Sequence, residues 1–249
     1  MSTYIGQSIL RGEDARLLKG KGRFTDDFHP QGSAFAAFVR SPHAHARVLA
    51  VDTAAVEGMS GVLCVLTAHD WAAARLGDLP CIAPVDSSDG ECIKLAPRPV
   101  FARDKVCHVG DNVAAVIADT PESAIAAAEL IDVEYEPMPA VSDPGQAAEP
   151  DAPVVHERFG NNVSNWIEIG DKRATDTVFA NAHHVTELSH RHNRVSANPL
   201  EPRSYVAQYD EAFDRYTLWA AGQNPHLLQR MFAESVLGVP AYKVRVVCP

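Results

Sequence analysis

Residues 113–138, VAAVIADTPESAIAAAELIDVEYEPM, leave a folding chain few choices. Val113 to Ala118 is a short apolar run, the pattern of a strand buried on both faces. Thr120 suits a helix N-cap, because its side-chain oxygen can accept from a free amide of the first turn. Pro121 follows at the first helical position, where its missing N–H removes only an orphan donor and its fixed φ suits the helix. Ala124, Ile125, Ala128 and Ile131 then fall on one stripe, with Glu122 and Glu129 on the other side. VEYE closes the unit, so the segment reads strand–helix–strand.

A second unit of this kind is predicted near the end. RYTLWAA, residues 215–221, is strand-like. Asn224 caps, Pro225 opens a helix, and Leu228, Met231, Phe232 and Val236 form its apolar face. Gly238 ends that helix and Pro240 prevents its continuation. KVRVV, residues 243–247, alternates as a strand; if the two strands are parallel, the crossover is right-handed. Between the two units, EPMPAVSDPGQAAEPDAP (136–153) is proline-rich and lacks periodicity, which reads as a connector between two domains. Ahead of the first unit, SAFAAFVRS, ARVLAVDTA and GVLCVLTAHDW supply short strands, and residues 75–105 are loop-rich. The fold class expected is therefore α/β (α+β).

The formal net charge is −10, which argues against a nucleic-acid partner, since that requires a basic face. No run of 18 apolar residues exists to span a membrane. The opening residues carry charges where an export signal needs an apolar core, so the cytoplasm is the expected location. The five cysteines, Cys64, Cys81, Cys92, Cys107 and Cys248, form no C-x-x-C pair. They read as buried free thiols, and an iron–sulfur cluster held by this chain alone is not expected.

Gln223 stands between the strand end and the Asn224 cap. Ligands of open α/β units gather at the carboxyl ends of strands, and helix N-termini attract anionic groups. A neutral amide there can donate and accept together. The other reading is a turn glutamine bonded to its own backbone, and spacing alone favours it. The histidines cluster as His43 with His45 and as His183, His184, His190 and His192. Neither cluster has nearby cysteines or a His-x3-His pair, so structural or surface roles are expected and no metal ligand is assigned. Glu201 could be a general base, but no partner carboxylate or nucleophile stands nearby, and an ion pair with Arg203 or a turn role is favoured. No G-x-S-x-G, phosphate-loop, G-x-G-x-x-G or H-E-x-x-H motif is present. No complete set of catalytic residues is expected in this chain.

Taken in order, RGEDARLLKGKGRFTDD (11–27), FVRSPHAHARVLAVD (38–52), GVLCVLTAHD (61–70), the 109–141 segment, NPLEPRSYVAQYD (198–210) and GQNPHLLQRMFAESVLGVPAYKVRVVCP (222–249) resemble the large, molybdenum-carrying subunit of the molybdenum hydroxylases. That family comprises xanthine dehydrogenase, aldehyde oxidase and aerobic carbon monoxide dehydrogenase. The resemblance implies an N-terminal arm over 1–19, an a/b hammerhead domain with a mixed sheet over 20–140, a linker over 141–155 and the incomplete start of a molybdopterin-binding domain over 156–249. It implies that Gln223 faces the molybdenum centre, against the preference from spacing. The implied cofactor is molybdopterin with molybdenum, in the cytosine dinucleotide form. The implied partners are an FAD-binding medium subunit, a 2Fe-2S small subunit, the remainder of the large subunit and a small-molecule substrate. The implied reaction is hydroxylation of an aldehyde, a heteroaromatic compound or carbon monoxide, with water as the oxygen source. Two departures stand out: Ala-Gly precedes Gln223 where the family often has Ser-Thr, and VGDNVA replaces the usual Gly-Glu-Pro-Val-Ala. The family's later glycine-rich loop and distal glutamate are not among these residues, so the chain alone is expected to be inactive. The alternative is a non-catalytic hammerhead module that packs against partner subunits.

Overall fold

The computed structural model describes residues 5–82 and 86–249. In chain order the elements are α1 (Asp14–Leu17), β1 (Phe35–Arg40), β2 (Ala46–Asp52), β3 (Val62–Thr67), α2 (Ala68–Ala73), β4 (Lys105–Val106) and β5 (Asn112–Ala118). Then come α3 (Pro121–Ala128), β6 (Asp132–Pro137), α4 (Pro144–Ala147), α5 (Lys172–Asn181), β7 (Tyr205–Asp210), β8 (Arg215–Ala220), α6 (Pro225–Arg230) and β9 (Val244–Val247). Contacts divide the chain into two units: Ala34–Ala197, and the segment up to Ser33 with Asn198–Pro249.

In the Ala34–Ala197 unit, β5 is the central strand of an antiparallel sheet with the order β1-β5-β3. Its side chains alternate between two cores, as a period of two requires. Ala114 and Val116 pack with Val56, Ala127 and Ile131. Val113 packs with Ala46, Ala102 and Val106. The strand–helix–strand reading of 113–138 holds for the elements, with Thr120 Oγ1 accepting from Ser123 N–H at 3.1 Å. The strands, however, do not share a sheet. Both edges of β5 are already taken by β1 and β3, so β6 pairs instead with β2, in a second antiparallel sheet ordered β4-β2-β6. The mixed sheet expected between 20 and 140 is thus two antiparallel ones. The inward stripe of α3 is also rotated from the expected one: Ala124, Ala127 and Ile131 are buried, while Ile125 is 55% exposed. At 100° per residue, 124, 127, 128 and 131 share a face and 125 lies at its margin.

The proline-rich connector folds back on this same unit. Asp143 caps α4, its Oδ1 accepting from Gly145 N–H at 2.8 Å and Gln146 N–H at 3.1 Å. Asn162 closes the next loop: its Oδ1 accepts from Val155 N–H at 2.9 Å, and its Nδ2 donates to Pro153 O at 2.9 Å and Ala147 O at 3.1 Å. Further on, Trp166 O accepts from Ser88 N–H at 2.7 Å and Ser164 O from Lys94 N–H at 2.9 Å, which orders part of the loop-rich region. Helix α5 buries none of its residues. Among the described residues, no helix is long and apolar enough to cross a membrane.

The other unit is built on a three-stranded sheet ordered β7-β8-β9, antiparallel between β7 and β8 and parallel between β8 and β9. Helix α6 continues without a break into a π-helical stretch, Met231–Leu237, that ends at Gly238 with φ 64°. This turns Ala233 and Val236 inward, with Leu228, Met231 and Phe232 half-buried. The Gln229 side-chain amide donates to Ala241 O at 3.1 Å and Val244 O at 2.7 Å, which pins the helix to the start of β9. The early segment is anchored here: Glu201 Oε1 accepts from the buried Thr25 N–H at 3.1 Å, and the Phe28 and Trp219 rings lie 4.7 Å apart.

Asn162→Ala should release three half-buried backbone groups at once. Each buried group left unsatisfied costs about 1–3 kcal/mol. The expected result is a lower melting temperature and faster proteolytic cleavage between residues 147 and 155; an unchanged cleavage rate would show that these bonds do not hold the connector.

Candidate functional site

The corner between β8 and α6 is shaped by backbone hydrogen-bond demand. β8 ends at Ala220, which is fully buried. Ala221 N–H donates to Ser204 O at 3.2 Å, so the chain is still tied to the stretch before β7 one residue beyond the strand. Asn224 then starts the helix: its Oδ1 accepts from Leu227 N–H and its C=O from Leu228 N–H, both at 3.1 Å. Pro225 sits at the first helical position, as the sequence indicates. Gly222 and Gln223 lie between these fixed points and are exposed. The Gln223 side chain makes no hydrogen bond to any described residue, so the self-bonded turn glutamine is not what the backbone uses here.

The parallel register, Tyr216↔Val244 to Trp219↔Val247, brings the carboxyl end of β9 beside this corner. Cys248 therefore stands next to Gly222. A Cβ built on Gly222 would lie 3.2 Å from Leu228 Cδ1 and 3.8 Å from Cys248 Sγ. The Ser204 hydroxyl, on the residue that accepts from Ala221, is buried without a partner among the described residues. Sequence reasoning reached Gln223, Asn224 and Pro225 but missed Gly222, Ser204 and Cys248. The Gly-Gln dipeptide was the available signal for the first; the other two come close only through strand pairing.

The remaining candidates resolve into structural roles. Glu201 is a hydrogen-bond acceptor for Thr25, not an ion-pair partner of the exposed Arg203. His45 is 4% exposed, with Nδ1 2.9 Å from Pro139 O and Nε2 buried without a partner among the described residues. His43 packs on Tyr135 with ring centroids 4.9 Å apart. His183, His184, His190 and His192 are exposed, with the rings of the last two 4.6 Å apart. Among the described residues, no three His, Cys, Asp or Glu side chains converge as a metal site. All five cysteines are free, but Cys64 and Cys92 are exposed and the others half-buried, so the expected burial of the thiols does not hold. Cys64 and Cys92 lie where the chain presents a solvent-facing side.

The Ala34–Ala197 unit carries an open cleft of about 1010 Å³. Two of its cations are matched within it, Arg103 with Asp78 at 2.8 Å and Lys105 with Glu157 at 2.6 Å, while Arg40 and Arg98 line it without an ion pair among the described residues. Lys105 also donates to Val155 O at 2.6 Å. Cys107 lines this cleft, and burial pushes its thiol up, away from the reactive thiolate form. His156, also on the cleft wall, is held below the ordinary value of 6.5, first by burial and then by Lys105, Arg158 and His45, with Glu157 opposing.

Residues 19–139 match the family described as aldehyde oxidase and xanthine dehydrogenase, a/b hammerhead domain. Residues 155–249 match the molybdopterin cofactor-binding domain. The chain belongs to the molybdenum hydroxylase family of xanthine dehydrogenase, aldehyde oxidase and carbon monoxide dehydrogenase. Within it, the chain is 36% identical to the carbon monoxide dehydrogenase large chain of Afipia carboxidovorans, over 98% of this chain and 30% of that one. It is 33% identical to the nicotine 6-hydroxylase large subunit of Paenarthrobacter nicotinovorans, over 98% of this chain and 29% of that one. Among solved structures, carbon monoxide dehydrogenase from Oligotropha carboxidovorans superposes with a TM-score of 0.84 at 35% identity, over 98% of this chain and 30% of that one. Quinoline 2-oxidoreductase from Pseudomonas putida 86 does so with a TM-score of 0.87 at 33% identity, over the whole of this chain and 30% of that one. The chain spans about 30% of the length of these relatives.

At the corner, the exposed Gln223 amide, able to donate and accept, and the open Gly222 backbone are groups that a polar ligand can engage.

Protonation of His156 should weaken the unit. Its folded pKa is lowered, so below about 6.5 the unfolded chain takes up a proton that the folded chain resists. Stability is therefore unaffected by this group at pH 7.5, falls as the pH drops through 6.5, and levels off once the folded group is protonated too. Melting temperatures of wild type and His156→Gln from pH 7.5 to 5 should diverge on the acid side, with the wild type losing more; parallel curves would remove His156 as the cause.

Proposed function

We propose that this chain forms one wall of a molybdenum–molybdopterin site in an oxidoreductase that hydroxylates a small aldehyde, a heteroaromatic compound or carbon monoxide, with water as the oxygen source. The observation that carries the reading is Gln223. It stands at the carboxyl end of a strand, beside the end of a parallel neighbour, with its amide free of hydrogen bonds to the described residues. In open α/β sheets this is where ligands bind, in the crevice outside the carboxyl ends of the strands. The cofactor, when bound, supplies the two-electron oxidation chemistry. The chain's part is to bind and orient: Nε2 of Gln223 donates, Oε1 accepts, and the Asn224 cap holds the corner that carries them. The proposed cofactor form is the cytosine dinucleotide.

In this reading, residues 1–19 are an N-terminal arm, 20–140 the hammerhead domain, 141–155 a linker and 156–249 the N-terminal part of the cofactor-binding domain. Electrons leave to a 2Fe-2S small subunit and an FAD-binding medium subunit, and the setting is cytoplasmic. A second reading, a non-catalytic assembly module, draws on α5, which buries none of its residues and leaves Val178 and Phe179 exposed. Molybdenum retained stoichiometrically through purification supports the first reading; its absence from correctly assembled protein supports the second.

Gln223→Ala in the complete subunit should lower turnover by on the order of 10²-fold, the effect of losing one preorganised donor at a reacting centre. The side chain packs against little, so stability should change by less than about 1 kcal/mol. Turnover per molybdenum at the wild-type level would refute the assignment.

A further inference from the structure

We infer that Gly222 is a positioning residue for Gln223, acting through Leu228, whose side chain occupies the space that a side chain at 222 would need. The inference rests on the reading of Gln223 given above.

The packing leaves one side of Gly222 closed and the other open. On the closed side, a Cβ would sit 3.2 Å from Leu228 Cδ1, tighter than ordinary carbon–carbon contact, and 3.8 Å from Cys248 Sγ, which is ordinary contact. Leu228 is half-buried in the first turn of α6, and its N–H donates to Asn224 O at 3.1 Å. Cys248 is held alongside by the parallel pairing of β8 and β9. The glycine's neighbours are fixed as well: Ala221 N–H bonds Ser204 O, and Asn224 caps the helix. A side chain at 222 therefore has two outlets. Either Leu228 Cδ1 gives way by a few tenths of an ångström, or the backbone of 222–223 moves outward by as much, and Gln223 moves with it. Positions 222 and 228 therefore form one packing unit.

The test is a cycle of Gly222→Ala, Leu228→Ala and the double variant, made in the complete subunit assembled with its partners. Two readouts do not involve turnover. The melting temperature of Gly222→Ala should fall, and the double variant should lose less than the sum of the single losses. Alkylation of Cys248 by iodoacetamide, followed on its peptide by mass spectrometry, should slow severalfold in Gly222→Ala, because the added methyl lies against Sγ. The third readout is kinetic: kcat per molybdenum should fall about tenfold in Gly222→Ala with KM little changed, the pattern of an interaction lost in the transition state. The double variant should recover most of it. Additive melting losses and unchanged alkylation overturn the inference whatever the kinetics. Unchanged kcat in Gly222→Ala with loss in Gln223→Ala overturns it and leaves the reading of Gln223 standing; unchanged kcat in both overturns the two together. Should Gly222→Ala not assemble, recovery of folded, molybdenum-loaded subunit in the double variant supports the coupling, and failure to recover overturns it.

Discussion

Two parallel strands place their carboxyl ends at the same edge of a sheet, and the chain between them must cross over to return to its starting end. The pairing of Tyr216–Trp219 with Val244–Val247 imposes this on the stretch from Arg215 to Val247. α6 and its π-helical continuation are that crossover. Because the helix must begin at the edge where β8 stops, its cap, the exposed Gly222 and Gln223 and the end of β9 converge there. Gln229 secures the far end by donating to the backbone on both sides of the entry to β9. A π-helical stretch widens the turn and leaves some carbonyls to longer-range partners, a feature that recurs at functional sites. Here Ala233 and Val236 are the buried positions of that stretch.

The Ala34–Ala197 unit obeys a different constraint. Its central strand, β5, is buried on both faces and paired on both edges, so it has no free surface left. α3 must then pack close, and it does so through alanines at 124 and 127 with Ile131 at its end. β6 is displaced to the second sheet, where it completes the pairing of β2. The two cores meet through Val51 and Val133, which pack against both. Large-to-small ordering of this kind, small residues under the helix and valines between the sheets, is what close packing of three layers asks for.

The charged cleft of this unit and the Gln223 corner contrast in chemistry. In the cleft, Arg103 and Lys105 are already matched by Asp78 and Glu157, and Cys107 is held away from its reactive form. Arg40 and Arg98 line the same cleft without an ion pair among the described residues, and Asp78 Oδ1 and Asn112 Oδ1 are buried there without a hydrogen-bond partner. At the corner, by comparison, the unpartnered groups are neutral: an amide, a buried hydroxyl and open backbone. Unmatched polar groups are where binding energy can still be gained.

Much of this was legible in the residues themselves. Thr120-Pro121, Asn224-Pro225 and Gly238 act through hydrogen bonds and φ angles within a few residues, so the caps and helix limits they mark stand where the local chemistry puts them. The apolar run 113–118 likewise declared a doubly buried strand, since no amphipathic alternation is needed when both faces are covered. The order of motifs pointed to the family, and Gln223 to the corner. Other features depended on contacts between residues far apart in the chain. Whether β5 and β6 share a sheet depends on which strands already occupy the edges of β5, and nothing within 113–138 encodes that. The rotation of the α3 stripe from Ile125 to Ala127 depends on what lies across from it. Glu201 could be judged an ion-pair or turn residue only until Thr25, 176 positions away, was seen to use it. Gly222, Leu228 and Cys248 meet because one strand pairs parallel to another. Local chemistry decides caps and periods, since its partners are adjacent; pairing and packing decide which distant groups share a corner, since the lowest free energy is set by the whole surface removed from water.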